Sequence, residues 1–570
     1  MLSTSQVFSF LFDSMFNKED EHSNKSDIMV NYNAIPESER IRHLKKHAES
    51  AARLIKQHSY IGLVTHNDSD GLSSAAIMIQ AFKREGITYY HKIVPRLDEG
   101  IVASIASAYP EDFLLVFCDI GSGQGDILSV LPNPIVILDH HVPVGKSPAK
   151  AVVNPMLVGL EGSNMISGAG VSYLTARAMR PENVDLSSLA VTGMIGDRQL
   201  IIAANAVILE EAVSSGAVAV RRGLKVGDGS LLDVFMKTTE PYLDITGKPD
   251  AICSFLEDLK LDAGKNIRDL TEGEMNRLCQ AVLSKLDQIH CPDAIEAAVG
   301  DVYYLKNQLV ENVFDLAGIL DSCVKDEDFD AAIALCLGDE TVLNRAYEFY
   351  KVNQETLIRN LSEALPLAAS LSNLSYIYGS DLQSSGSIST TYVRYVDPSK
   401  PFVCLNERES IIRISARATR DLIQKGLDLS ISVREASASV GGVGGGHKIA
   451  SGGVLPIGTK DAFLEKLNEL VGIQLASAKE KSSLHISGCI RFIDETDAEK
   501  ENHHAEKLAV SLAPDNLYGT ETKVEDGYVE ICLSSDKIGS LLATADDLLM
   551  NADGAVRVTK ASQKSRETEN

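Results

Sequence analysis

The chain has 570 residues, 44% of them hydrophobic and 23% charged, with a formal net charge of −25. That length predicts several domains. The acidic balance argues against broad coating of duplex DNA, though not against a local basic cleft, and it suits a protein that gathers divalent cations in carboxylate sites. Nine cysteines without a C-x-x-C pair read as reduced thiols of a cytoplasmic protein. No apolar run of about 18 residues is present, so no membrane partner is expected.

In chain order, residues 1–45 read as a mobile tail and lead-in helix. The opening MLSTSQVFSFLFDSMF lacks a basic leader and a small-residue cleavage site. A helix is predicted over Glu37–Gln57, then a strand over Ile61–Thr65, a helix, and strands over Ile87–Val94, Phe113–Ile120 and Pro134–Leu138. Short apolar strands alternating with helices predict a parallel sheet covered on both faces, over residues 46–205. Residues 206–375 read as a helical, acidic insertion or linker. Strand signals return at LSYIYGS, FVCLNE and IIRISARA, followed by the glycine-rich GGVGGGHKIASGG and a helix over Asp461–Leu470; residues 376–478 are taken as one α+β domain. A small α+β domain is expected over 483–560, in the order strand, helix, strand, helix, and a polar tail over 561–570. The fold class is therefore α/β, with a helical insertion and two smaller α+β domains.

Four polar clusters stand at predicted strand or helix ends: His66-Asn67-Asp68-Ser69-Asp70-Gly71, Cys118-Asp119-Ile120-Gly121, Asp139-His140-His141 and Gly196-Asp197. In parallel sheets, ligands bind beyond the carboxyl ends of the strands. One aspartate at such a place caps a turn, and one pair of histidines commonly lies on a surface. Several carboxylates gathered together repel one another and raise one another's pKa, a penalty that bound cations remove. Imidazole and carboxylate without thiolate suit Mn2+ or a similar ion, with Mg2+ and Zn2+ as alternatives. Two such ions can activate water and stabilise both oxygens of an in-line phosphoryl displacement.

The segments THNDSDGLSSA, FCDIG, LDHH and MIGDRQ resemble the four motifs of the DHH phosphoesterases, and GGVGGGHKIASGG resembles the glycine-rich motif of the DHH-associated domain. That family includes single-strand exonucleases of the RecJ kind and phosphodiesterases acting on nano-RNA or cyclic dinucleotides. The resemblance implies that 46–205 is the catalytic domain and 376–478 the substrate-binding domain. It implies two divalent ions, Mn2+ first and Mg2+ second, held by His66, Asp68, Asp70, Asp119, His140 and Asp197, with Asp119 bridging. His141 would face the scissile phosphate as donor or general acid, and Asp139 would ligate or orient a neighbouring histidine.

Arg413, Ser415 and Arg417 alternate along one strand and so share a face. Ser415 and Arg417 match the family's substrate contact. Gly444, Gly445, Gly446 and His447 would present backbone N–H groups to an anion; a flexible linker is the competing reading. His503 and His504 read as a solvated helix face. Residues 483–558 resemble the small dimerisation subunit of the KEOPS complex, which implies a homodimer or a protein partner through that module. The expected activity is hydrolysis of single-stranded DNA or RNA from one end. The alternatives are a nano-RNA or cyclic-dinucleotide phosphodiesterase, or a non-enzymatic scaffold in replication or tRNA modification.

Overall fold

A computed structural model describes residues 35–380, 382–481, 486–493, 520–525 and 528–535. The chain divides into two compact units: Met1–Arg221 with Asp301–Lys351, and Arg222–Gly300 with Val352–Asn570.

The first unit begins with helix α1 (Glu37–Ile55), whose Ile41, Leu44, Ala48, Ala51, Ala52 and Ile55 recur at three- and four-residue spacing and form its buried stripe. Strand β1 (Tyr60–His66), helix α2 (Ser69–Glu85), strand β2 (Thr88–Val94), helix α3 (Glu99–Ala108) and strands β3 (Leu114–Cys118), β4 (Ile135–Leu138) and β5 (Ala151–Val153) follow. The strands form a five-stranded sheet in the order β2-β1-β3-β4-β5, parallel throughout. Alternate side chains serve opposite faces. Leu63, Val116 and Leu138 join one core with Leu72, Val171 and Val191, while Val64, Phe117 and Ile137 join another with Val102 and Ile105. Burial on both faces is why β1, β3 and β4 are apolar without alternation. Helices α4 (Gly168–Met179), α5 (Ser187–Gly196) and α6 (Ala203–Ser214) complete the covering layer.

The stretch expected to be helical from Val207 to Leu371 also contains strands β6 (Val218–Leu224) and β7 (Val299–Leu305), which pair with each other. Between them lie α7 (Leu231–Lys237), α8 (Pro249–Asp258), α9 (Glu272–Asp287) and α10 (Pro292–Ala298), with a core of their own around Leu231, Phe235, Leu256 and Val282. A Thr271–Glu274 capping box starts α9. Helices α11 (Val313–Lys325) and α12 (Phe329–Cys336) then return to the first unit. There Leu316, Ile319 and Leu320 enter the same core as Leu72 and Met194.

Helix α13 (Leu343–Ala364) begins in the first unit and ends in the second, which continues with β8 (Ala369–Ser370), β9 (Ser375–Ser380), α14 (Ser385–Tyr395), β10 (Phe402–Arg408), β11 (Ile411–Arg417), α15 (Leu429–Ser439), β12 (Val443–Gly446), β13 (Ala450–Pro456) and α16 (Lys460–Lys481). Its six-stranded sheet runs β12-β13-β11-β10-β9-β8. Ile412, Ile414 and Ala416 pack beneath α15 and α16. Arg413, Ser415 and Arg417 therefore occupy the other face, as their alternation predicts. Near the C-terminus, β14 (Ile486–Ile493), β15 (Thr520–Glu525) and β16 (Tyr528–Ser535) form an antiparallel sheet with β16 central. Strand β15 had no counterpart in the sequence reading. The helices expected there, with His503 and His504, lie outside the described residues. No helix among the described residues is long and apolar enough to cross a membrane, and the cysteines among them are all free.

Candidate metal centre

The four polar clusters converge beyond the carboxyl ends of β1, β3 and β4 and the C-terminus of α5. His66, Asp68 and Asp119 offer one group of ligand atoms lying within 4.8 Å of one another, and Asp70, His140 and Asp197 offer a second. Asp119 links the groups: its Oδ1 is 3.1 Å from His140 Nε2 and its Oδ2 is 3.6 Å from His66 Nδ1. All six expected ligands are thus brought together.

Local chemistry explains each placement. Asp68 caps α2, accepting from Gly71 N at 2.9 Å; its other oxygen is 2.8 Å from His66 Nδ1. Asp70 is buried and accepts from Gly168 N (2.7 Å) and Ala169 N (2.9 Å), so the first turn of α4 faces its charge. Asp119, expected to end a strand, instead follows β3 in the left-handed region, at φ 58°. This conformation is uncommon for side chains other than those of Asn and Asp and turns the carboxylate into the site. His140 Nδ1 donates to Gly162 O at 2.8 Å, leaving Nε2 to face the carboxylates.

Asp139 behaves differently. Fully buried, it accepts from Ser122 N (2.8 Å), His140 N (2.7 Å) and His141 Nδ1 (2.8 Å). These bonds tie Asp139 to the loop and to His141, and its carboxylate also lies within 4.8 Å of ligand atoms of Asp119, His140 and His141. The His141 side chain is half-exposed.

The electrostatics follow from crowding. Burial disfavours charge on His66, but Asp119 and Asp68 outweigh it and hold the imidazole up at about 10. His140 is likewise raised, against burial, by Asp119, Asp70 and Asp197. Burial raises Asp70, and the Asp119 carboxylate adds to it. Burial also raises Asp197, against the pull of His140. Asp68 is drawn down to about 2 because His66 outweighs its burial. Both oxygens of Asp119 are buried without a hydrogen-bond donor. An ionised carboxylate buried without donors is costly, and a cation supplies what the protein withholds. The residues present fit a divalent centre of mixed imidazole and carboxylate character.

Two supporting residues escaped the sequence reading. Gln199, two positions past Asp197, donates to Asp197 Oδ2 (2.8 Å) and to Gly162 O (2.7 Å), and Asn205 Nδ2 donates to its Oε1 at 3.0 Å. Spacing from Asp197 was the available signal for Gln199.

The expected substrate-gripping residues lie in the second unit. Ser415 pairs with Gly452 across the β11–β13 ladder, and with Arg413, Arg408, Ser384 and Asn406 it lines a cavity of about 840 Å3. Arg417 is half-buried, its guanidinium close to Gly386 at the start of α14. Gly444, Gly445 and Gly446 form β12 opposite Gly453, Gly452 and Ser451. His447 is exposed.

Residues 60–195 match the model of the DHH family, N-terminal domain, and residues 393–472 that of the DHHA1 domain. An uncharacterized protein of Methanocaldococcus jannaschii is 29% identical over 447 residues, 77% of this chain and 99% of that protein. The single-stranded-DNA-specific exonuclease RecJ of Thermus thermophilus is 29% identical over 170 residues, 27% of this chain and 25% of that protein, so the likeness spans a quarter of it. Among solved structures, RecJ in complex with Mn2+ from Thermus thermophilus gives a TM-score of 0.50 at 16% identity, covering 75% of this chain and 55% of that one. CDC45 from Entamoeba histolytica gives 0.54 at 11% identity, covering 76% and 98%. These two likenesses concern the fold. The two family matches, each falling where its motifs stand, give residues 60–195 the character of a DHH family N-terminal domain and residues 393–472 that of a DHHA1 domain.

Proposed function

We propose that this protein is a metal-dependent phosphodiesterase that hydrolyses single-stranded DNA or RNA from one end. Asp119 carries the reading: a buried, donorless carboxylate joining two ligand groups. His66, Asp68 and Asp119 would hold one divalent ion, and Asp70, His140 and Asp197 the other, with Asp119 shared. Bound there, such ions activate water and stabilise the charge of an in-line phosphoryl displacement. Mn2+ is the favoured ion, in keeping with the donor set.

The chain's own residues account for the rest. Asp139 fixes His141 with its Nδ1 proton on the carboxylate, so Nε2 remains for a substrate. Burial opposes charge on His141, but Asp139 outweighs it and raises the imidazole above its ordinary value. A protonated imidazole can hydrogen-bond a phosphoryl oxygen or deliver its proton to the departing one. In the second unit, Arg417 and Ser415 are assigned to a substrate phosphate. Gly445 adds support: a Cβ there would meet nothing within 4 Å. Packing does not require glycine at that position, whereas close approach by a ligand does.

The test is incubation with Mn2+ and end-labelled strands of graded length. Stepwise shortening of long single strands supports the reading. Turnover confined to dinucleotides would move the assignment to a nano-RNA or cyclic-dinucleotide phosphodiesterase. Strand binding without cleavage in any divalent ion would favour a scaffold.

A further inference from the structure

Strand β5 ends at Val153, and the next residue, Asn154, is wholly buried. Its amide is fully engaged. Nδ2 donates to Ser122 Oγ and to His141 O, each at 2.9 Å, and Oδ1 accepts from Met156 N at 2.9 Å. Met156 N can only donate, which fixes Oδ1 on that side and aims the amide protons at Ser122 and His141. Ser122 in turn gives its N–H to Asp139 Oδ2 at 2.8 Å. The turn carrying His141 is thus tied at both ends. Asp139 Oδ1 takes the His141 N–H (3.1 Å) and the ring Nδ1 (2.8 Å), and Asn154 takes the carbonyl. The two bonds from Asp139 converge on one oxygen atom, about which His141 could still pivot. Asn154 holds the far side of the residue and removes that freedom.

The bland alternative is that Asn154 merely caps the short turn Pro155–Val158. That cap uses Oδ1 alone, and aspartate or serine would serve it as well. Neither would supply the buried donor that His141 O receives. We propose that Asn154 is a positioning residue for His141: it fixes the His141 main chain so that the imidazole Nε2 is held toward the substrate phosphate. Supporting bonds behind a reacting group set how precisely it is placed. None of the three bonds reaches an expected metal ligand, so the metal centre forms without Asn154. This rests on the hydrolase reading above, in which His141 faces the scissile phosphate.

Steady-state cleavage of an end-labelled single strand at saturating Mn2+ tests it, together with Mn2+ titration followed by loss of the free-ion paramagnetic resonance signal. Asn154→Asp keeps the size and the cap but turns an acceptor toward His141 O. It should lower kcat about 10- to 100-fold, the scale of a reacting group displaced by up to about 1 Å, with KM and Mn2+ affinity parental. Asn154→Ser still caps Met156 N, is too short to serve His141 O as well, and adds no charge; it should lose as much. If Asn154→Asp does not fold, Asn154→Ser carries the comparison. In a His141→Ala background either change should cost nothing further, because the residue it steadies is gone. Parental kcat in the variants, a fall in Mn2+ affinity as large as the fall in kcat, a loss confined to KM, or additive losses with His141→Ala would overturn the proposal. A parent that takes up Mn2+ but shortens no strand would instead sink the hydrolase reading, and this inference with it.

Discussion

Gly168 opens α4 between two of the site's carboxylates. Its N–H binds Asp70 at 2.7 Å, and a Cβ added to it would stand 2.6 Å from Asp119 Oδ1, 2.7 Å from Asp119 Cβ and 2.8 Å from Asp119 Cγ. These separations fall about 0.8 Å short of ordinary contact between nonbonded atoms. The clash reaches the root of the Asp119 side chain, which cannot swing aside while its backbone N–H is held by Leu138 O at 2.8 Å. Gly168→Ala must therefore move Asp119 or the helix. Overpacking of this kind costs about 1–3 kcal/mol, and misplacing a reacting group by 1 Å costs on the order of 100-fold in rate. We expect kcat to fall about 30- to 100-fold and Mn2+ affinity about tenfold, with KM for a single strand unchanged. Gly170→Ala is the control. Its Cβ would meet Ile166 Cγ1 at 2.8 Å and Ile208 Cδ1 at 3.3 Å, apolar ends away from the ligands, so it should lower stability and spare metal binding. The assays are steady-state cleavage at saturating Mn2+, Mn2+ titration and thermal melting. A Gly168→Ala enzyme with parental rate and affinity, or a Gly170→Ala enzyme equally impaired in both, would refute the reasoning.

Asp119→Ala should lower turnover by about 1,000-fold or more, the scale of losing a preorganised electrostatic partner, while circular dichroism and elution volume stay parental; comparable Mn2+-dependent rates in mutant and parent would reject its bridging role. Arg417→Ala should raise KM with little change in kcat, because it removes binding made equally in ground and transition states; an unchanged KM on every strand tried would count against that contact. Mn2+ affinity should rise with pH, because His66, held protonated up to about 10, and the raised His140 must each surrender a proton to a cation. Calorimetry in buffers of different ionisation enthalpy measures that release, and uptake without it would be inconsistent. In chelator the sign reverses for stability: the share from His66 is full below about 6.5 and is lost as pH rises through about 10.

Much of the site was legible because its residues stand in runs whose physics is local. IGLVT and PIVIL could only be buried strands, and the polar residues after them had to emerge at the strand ends, where the structure has them. The left-handed turn at Asp119 was not legible. Phe113–Ile120 reads as one apolar run, and only packing shows that it ends at Cys118 so that the carboxylate can turn inward. Strands β6 and β7 were hidden because seven-residue stretches between long helices carry too few positions to separate the two periodicities. The glycines behind the ligands, Gly162, Gly168 and Gly193, likewise declare themselves only through what a methyl group would strike.

The segment between β6 and β7 leaves and re-enters the chain at neighbouring points, with Lys225 N donating to Ala298 O at 2.8 Å. A detour that starts and finishes on one paired ribbon imposes no stretch on the chain around it, whatever its length, since closing a longer loop adds only slowly to the entropic cost. Insertions or deletions among its four helices can therefore accumulate without disturbing the spacing of the strands that carry His66, Asp119 and His140, so its size is free to drift while the aspartate and histidine positions stay put.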